Sequence, residues 1–187
     1  DDERISQTLP TIKLLLKNKN RIIIVSHLDR PQSRDPKLSL KIVTKRLQEL
    51  LPEIKVHLID DFMTEKKETF EKQTDNDIFV LENIRFYQGE KTAEKTFSKQ
   101  LASLGDIYVN DAFAVSHRAE TSIVILPTLL PAFGGLCMKR EVIALDKAIK
   151  HPKRPLVAII GGAKISTKIA LISKLIEKAD HVILGGG

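Results

Sequence analysis

Short apolar runs alternate with longer amphipathic segments along the chain, and this alternation constrains the fold more than any other feature. Runs rich in β-branched residues predict strands at 21–26, 55–59, 78–81, 107–109, 156–160 and 181–184. Between them, apolar residues recur every three or four positions and predict helices at 5–16, 40–50, 97–104 and 165–176. Strands that are apolar on both faces need helices on both sides, so we predict a doubly wound α/β fold with a mostly parallel sheet.

A boundary between two domains is predicted near residue 150. Residues 137–150 have the charged and apolar pattern of a helix, with proline and glycine before it and His151-Pro152 after it. A new predicted strand follows directly. We therefore expect a domain over 1–135, a connecting helix over 136–150 and the start of a second, similar domain over 151–187.

Charge and composition narrow the class of partner. Lysine and arginine number 30 against 24 acidic residues, and the resulting charge of +6 suits an anionic partner, such as a nucleic acid, a membrane surface or a phosphorylated metabolite. Two tyrosines, seven phenylalanines and no tryptophan leave little surface for base stacking, and no reading-helix motif is present, which argues against a nucleic acid. The apolar runs are too short to cross a bilayer, which argues against a membrane.

The two ends of the sequence and its cysteine content predict where the protein works. The acidic start lacks the apolar region of a signal peptide, and a single cysteine, Cys137, cannot form an internal disulfide, so we expect a cytoplasmic protein. The sequence lacks an initiator methionine and stops directly after an apolar run, so we expect a piece of a longer protein. Its histidines show no metal-ligand spacing, so no protein-held metal is expected.

Polar residues follow three of the predicted strands at the point where each strand ends. These segments carry His27 and Arg30, Arg85, and Arg118. The carboxyl ends of parallel strands share one edge of a sheet, where ligands bind, and guanidinium groups are suited to carboxylates and phosphates. The segments therefore predict a cradle for a small ligand that carries both groups. The alternative is that each arginine pairs with a neighbouring acidic residue and binds no ligand.

A second phosphate site is predicted after the strand at 156–160. Gly161-Gly162-Ala163-Lys164 stands where a strand turns into a helix, so the backbone can approach a phosphate and free N–H groups point towards it. Lys164 and Lys168 lie four residues apart on one face of the predicted helix. The segment is neither a Walker A loop nor a dinucleotide fingerprint, and the alternative is a purely structural glycine turn.

Several motifs together resemble those of the phosphoglycerate kinase family, in the same order along the chain. They are Ser26-His27-Leu28-Asp29-Arg30-Pro31, Leu81-Glu82-Asn83-Ile84-Arg85-Phe86, Asn110-Asp111-Ala112-Phe113 with His117-Arg118-Ala119, Gly161-Gly162-Ala163-Lys164 with Lys168, and Gly185-Gly186-Gly187. The resemblance implies three-layer αβα, Rossmann-like domains that are joined by a helix. One binds 3-phosphoglycerate and the other a magnesium nucleotide, and closure transfers a phosphoryl group reversibly between ATP and the substrate carboxylate, giving 1,3-bisphosphoglycerate and ADP in glycolysis.

The resemblance also implies roles for individual residues. Substrate would be held by Arg4, His27, Leu28, Asp29, Arg30, Arg85 and Arg118, and the transferring group would be stabilised by Arg4 and Lys164. The nucleotide would be held by Gly161, Gly162, Lys164, Lys168, Gly185 and Gly186. The magnesium ligand is expected outside this chain, and the family suggests a monomer.

Departures from the family pattern qualify what the resemblance implies. The family's opening strand, adenine pocket, magnesium-binding acid and second glycine-rich loop have no match here, so the chain alone is not expected to catalyse. Asp29 replaces the usual glycine, and Ala114 and Ser116 stand where glycine and alanine are frequent. The alternative function is a non-catalytic phosphometabolite-binding module from a truncated kinase.

Overall fold

A computed structural model describes residues 2–150, 152–161 and 169–185. The chain divides into two compact units, Asp1–Lys139 and Arg140–Gly187, which meet within one helix. Among the described residues, no helix is both long and apolar enough to span a membrane.

The first unit alternates helices and strands, as the sequence predicts. Its regular elements are α1 (Glu3–Lys17), β1 (Ile22–Ile24), α2 (Lys41–Leu50), β2 (Lys55–Ile59), α3 (Lys67–Glu71), β3 (Asp77–Leu81), α4 (Gln88–Thr92), α5 (Lys95–Ala102), β4 (Tyr108–Asn110), α6 (Leu126–Leu129), β5 (Ala132–Gly134) and the start of α7 (Leu136–Lys150). Single 3-10 turns lie at Pro36–Leu38, Ile84–Phe86 and Phe113–Val115, and a π-helix spans Thr121–Ile125.

All strand pairs of the first unit are parallel, which confirms the predicted α/β class. The order β1-β3-β2 forms a three-stranded sheet, and β4 pairs with β5 in a separate sheet. The sequence analysis did not predict β5, because Ala132-Phe133-Gly134 is a three-residue strand with no β-branched residue. The preceding Pro131 and the following Gly135 indicated only a boundary.

The central strand β3 separates two apolar clusters, one on each face of the sheet. Ile78 and Val80 face the cluster that α1 and α2 cover, while Phe79 and Leu81 face the cluster that α5 covers. Ile78, Val80 and Leu81 are all completely buried. Burial of one such side chain contributes about 1.5–3 kcal/mol, so β3 anchors the loops at its carboxyl end.

The second unit contains the rest of α7, then β6 (Val157–Ile160), α8 (Ile169–Ile176) and β7 (His181–Leu184). The two strands are parallel, with Val157 opposite His181 and Ile160 opposite Leu184. A helix between two parallel strands is the crossover that the sequence predicts for the start of a second α/β domain. The first residues of the predicted 165–176 helix lie outside the described residues.

Candidate functional site

The loop after β1 is held in place by the loop after β3. Ile84 donates its backbone N–H to the carbonyl of Ser26 (3.0 Å). Asn83 is completely buried, and its Nδ2 donates to the carbonyls of Leu28 (2.8 Å) and Leu38 (2.9 Å). The loop that carries His27 and Arg30 is therefore held by hydrogen bonds from its neighbour, because the buried amide of Asn83 would be costly to leave without acceptors.

Asp29 adopts the left-handed backbone conformation, with φ of 57°. Aspartate enters this region more readily than most residues because its short side chain can bond locally, and Oδ1 of Asp29 accepts the N–H of Arg30 at 2.9 Å. The carbonyl of Asp29 accepts from Nη1 of Arg85 at 2.8 Å. The residue that replaces the family's usual glycine is thus compatible with the backbone of the loop.

Arg85 is held by protein groups on both sides of its guanidinium. Its side chain is only 4% exposed, and Nη2 donates to both carboxylate oxygens of Glu120, at 2.9 and 3.1 Å. For this arginine the structure shows an acidic neighbour, which the sequence analysis gave as the alternative to ligand binding. Sequence reasoning did not identify Glu120, although it lies only two residues after Arg118.

Arg118 differs from Arg85 in its surroundings. Its Nη1 lies 3.6 Å from Oε1 of Glu120, and its side chain is 27% exposed. Within the described residues, its Nε is a buried polar atom with no hydrogen-bond partner. A buried donor without a partner is costly, so the Nε of Arg118 keeps an unmet capacity to donate a hydrogen bond.

The pKa of His27 depends on its burial and on the charged groups around it. Burial is the largest influence that lowers its pKa below 6.5, and the positive charges of Arg85, Arg118 and Arg4 lower the pKa further, while Glu120 opposes them. The imidazole is therefore mainly neutral at pH 7. Three of the predicted arginines therefore lie within electrostatic range of His27.

The remaining predicted substrate residues lie in α1 and in the loop after β1. Arg4 is exposed in the first turn of α1, Arg30 is exposed in the β1 loop, and Leu28 packs against the cluster that α1 and α2 cover. Ala114 is exposed in a 3-10 turn.

Ser116 braces the loop that leads from β4 to Arg118. Its Oγ accepts from Nδ2 of Asn110 (3.3 Å) and donates to the carbonyl of Ala112 (3.1 Å). A hydroxyl at this position therefore bonds within the loop, a role that sequence reasoning did not assign to it.

Two of the predicted nucleotide residues lie side by side in the second unit. Gly185 donates its N–H to the carbonyl of Ile160 (2.7 Å), and a Cβ added to Gly185 would lie 3.7 Å from Cα of Gly161. Both glycines follow a strand at the same edge. The predicted residues Gly162, Lys164, Lys168 and Gly186 lie outside the described residues.

No group of three or more histidine, cysteine, aspartate or glutamate residues within the described part of the chain is placed to hold a metal ion. A Mg²⁺ ion that accompanies a nucleotide usually takes one or two protein carboxylates and otherwise phosphate and water oxygens.

Comparison with known proteins places these features in a family. A family model described as phosphoglycerate kinase matches residues 1–187. The phosphoglycerate kinases of Wolbachia sp. subsp. Drosophila simulans and of Dictyoglomus turgidum are 49% and 43% identical over the whole chain, which covers 47% of each. The chain thus spans about half the length of the curated relatives it matches.

Solved structures agree with the sequence matches. The structure of phosphoglycerate kinase from Coxiella burnetii is 37% identical with a TM-score of 0.86, over 100% of this chain and 47% of that one. The phosphoglycerate kinase of Pyrococcus horikoshii is 30% identical with a TM-score of 0.84, over 99% and 48% respectively.

Proposed function

Because the chain belongs to the phosphoglycerate kinase family, we propose that its first unit binds 3-phosphoglycerate or 1,3-bisphosphoglycerate and that its second unit begins the half that binds ATP or ADP. As part of a longer kinase, the chain would serve reversible phosphoryl transfer between ATP and the carboxylate of 3-phosphoglycerate in glycolysis. The match to the family model confirms the family assignment made from the sequence motifs. The activity and the roles of individual residues are proposals.

The Nε of Arg118, which has no hydrogen-bond partner among the described residues, is the observation that carries this proposal. It is a buried donor of a guanidinium whose Nη1 lies 3.6 Å from the carboxylate of Glu120, and the positive charges of Arg85, Arg118 and Arg4 act on His27. A ligand with one phosphate and one carboxylate offers acceptors in the planar geometry that guanidinium groups favour. Such a ligand would satisfy Arg118 and balance the excess positive charge.

The substrate residues differ in the contact each can make. Arg118 would bind the ligand through Nε, and neutral His27 would donate a hydrogen bond to it. Arg85 already bonds to Asp29 and Glu120, so it would contribute its charge and hold the loop. Exposed Arg4 would approach the transferring group, and exposed Arg30 would complete the cradle.

Phosphoryl transfer needs no covalent intermediate with the protein, because positioning and charge neutralisation carry most of the catalysis. Lys164 would neutralise the group in transit, and Lys168 would bind nucleotide phosphates. Gly161, Gly162, Gly185 and Gly186 would allow those phosphates to approach the backbone. Magnesium, bound with the nucleotide, would neutralise phosphate charge, and its protein ligand would come from outside this chain. We also propose a cytoplasmic monomer with no nucleic-acid or membrane partner.

Calorimetric titration of 3-phosphoglycerate into the 187-residue chain tests the substrate role. Saturable binding is expected, and Arg118→Ala should weaken it at least about tenfold, since a charge-assisted hydrogen bond is lost. Circular dichroism of both proteins establishes that they are folded. A folded chain that does not bind, or that binds equally well without the guanidinium, contradicts the proposal.

A second candidate is a non-catalytic module that binds the phosphometabolite, and it would use the same residues of the first unit. The chain spans 47% of the length of the first Wolbachia relative. Assay of ADP formation from ATP and 3-phosphoglycerate distinguishes the two functions. Turnover by a chimaera in which this chain replaces the matching segment of the Wolbachia relative supports the kinase, whereas binding without turnover in the chimaera supports the module.

A further inference from the structure

Three hydrogen bonds join Gly89 and Glu90 of α4 to the start of the π-helix. Thr121 Oγ1 donates to the carbonyl of Gly89 (2.7 Å). Ser122 donates its N–H to Oε2 of Glu90 (3.0 Å) and its hydroxyl to Oε1 (2.5 Å). Both Glu90 and Thr121 are completely buried. A buried carboxylate is costly unless it is bonded, so this one has a specific position to maintain.

The carboxylate replaces a helix cap at the start of the π-helix. No side chain of the preceding residue caps Thr121–Ile125, yet the first N–H groups of a helix need acceptors. Glu90, from another element, accepts the N–H of Ser122. The position of Glu90 is in turn fixed by the core, because its neighbour Gly89 packs tightly against Phe97. A Cβ added to Gly89 would lie 2.5 Å from both Cβ and Cγ of Phe97.

We call the bonds from Thr121 and Ser122 to Gly89 and Glu90 the clamp. The residue just before the clamp is Glu120, which contacts both arginines of the proposed anion site. Its carboxylate accepts from Arg85 at 2.9 and 3.1 Å and lies 3.6 Å from Arg118. Only Thr121 separates Glu120 from Ser122. A shift of Thr121 and Ser122 would therefore move the carboxylate that is hydrogen-bonded to Arg85 and lies next to Arg118.

We propose that Glu90 is a positioning residue of the anion site: through Ser122 it fixes Glu120, and Glu120 orients Arg85 and Arg118. The inference rests on the proposed function for the identity of the ligand, but its geometry does not. Burial is the main cause that raises the pKa of Glu90, and the bonds from Ser122 and the charge of Arg85 oppose it, while the charge of Glu120 adds to it, so the three charged groups lie within electrostatic range of one another.

Nitrogen-15 NMR of the arginine Nε–H groups tests the positioning in the chain without ligand. Signals are assigned from Arg85→Lys and Arg118→Lys. Glu90→Ala should shift and broaden both signals, because the carboxylate that orients them loses its anchor. Glu90→Gln, which still offers a carbonyl to the Ser122 N–H and an amide to its hydroxyl, should restore them. Glu94→Ala is the control, since Glu94 is exposed four residues along and its side chain makes no capping bond.

Affinity for 3-phosphoglycerate gives the second readout. Glu90→Ala is expected to weaken binding about tenfold, with Glu90→Gln within about threefold of the unchanged chain and Glu94→Ala equal to it. If Glu90→Ala does not fold, Ser122→Ala takes its place, because it removes one bond and keeps the backbone bond. For Ser122→Ala a smaller shift of both signals is expected.

The outcomes separate the two proposals. Unchanged Arg85 and Arg118 signals in a folded Glu90→Ala or Ser122→Ala chain overturn the positioning role, whatever the affinity. If Glu90→Gln does not restore the signals, the positioning role is also overturned, because the bonds to Ser122 would then not determine the arginine signals. Shifted signals in a chain that never binds 3-phosphoglycerate support the positioning and contradict the proposed ligand.

Discussion

The loops after β3 and β4 each carry an arginine of the predicted cradle, yet the side chains of the two loops have different surroundings. In the β3 loop, the Glu82 carboxylate accepts from Ser39 Oγ (2.5 Å) and from the N–H groups of Leu40 and Asn83 (both 2.7 Å). In the β4 loop, Arg118 keeps a buried Nε without a partner among the described residues. We therefore call the β3 loop, whose polar groups bond within the protein, the framework loop, and the β4 loop, which carries Arg118 of the proposed anion site, the ligand loop.

Burial explains the difference. The β3 loop follows the central strand of a three-stranded sheet, so neighbouring elements surround it and supply partners. The β4 loop follows a strand paired only with β5, and its residues are half-buried or exposed. Polar groups of the framework loop should therefore govern stability, and those of the ligand loop should govern affinity.

The largest expected effect is the loss of stability in Arg85→Ala. The substitution leaves the Glu120 carboxylate without its main partner in a nearly buried site, and breaking a buried pair costs about 3–5 kcal/mol of unfolding free energy. Chemical denaturation measures this. Arg46→Ala, in an exposed cluster with Asp2 and Glu49, should barely change the midpoint. Equal, small effects would remove the distinction between framework and surface arginines.

The next effect is a pH dependence of stability that Glu90→Gln abolishes. Burial is the main cause that raises the pKa of Glu90 from 4.5 to about 7. Between these values the folded chain holds a proton that the unfolded chain has lost. The contribution is therefore fully present below pH 4.5 and is lost as the pH rises towards 7, on the order of 3 kcal/mol.

Denaturation of the unchanged chain and of Glu90→Gln across this pH window measures that contribution. The difference in unfolding free energy between the two should change steadily with pH. A constant difference from pH 4.5 to 7 would mean that Glu90 does not hold its proton in the folded chain. The Glu90 carboxylate would then be more hydrated than its burial indicates.

A smaller loss of stability is expected for Asn83→Ala, about 2 kcal/mol, because its buried Nδ2 supplies the half-buried carbonyls of Leu28 and Leu38 with a donor, and an unsatisfied buried group costs about 1–3 kcal/mol. Asn18→Ala is the matched control, because Asn18 makes its side-chain bond at an exposed helix end. A melting curve of Asn83→Ala indistinguishable from that of the control would show that the β3 loop is not the framework.

Sequence periodicity predicted the parallel α/β fold and most long elements, because their apolar faces are buried in two clusters. It missed α4 and α6, which span five and four residues, too short for a helical period to be recognised. It also missed β5. These elements form through tertiary packing, which a local pattern does not contain.

The candidate site was predicted as a set of cations, and the acids that hold them were not. Motifs indicated His27, Arg85 and Arg118, but Glu120 is a single acid with no pattern of its own, and Glu90 reaches Ser122 across 32 residues of chain. Which arginine is paired depends on those long-range contacts. Glu120 could have been identified by examining the acidic residues that follow Arg118 closely in the sequence. Glu90 could not, because its partner Ser122 lies 32 residues away.

The most direct test of the account is an NMR titration that follows the Nε–H signals of Arg118 and Arg85 as 3-phosphoglycerate is added to the chain. The account predicts that the Arg118 signal shifts until it saturates and becomes protected from solvent exchange, because its Nε gains an acceptor. The Arg85 signal should move far less, since its guanidinium is already bonded to Glu120 and Asp29. A saturating shift at Arg85 with Arg118 unchanged would reverse the roles of the two loops and contradict the account.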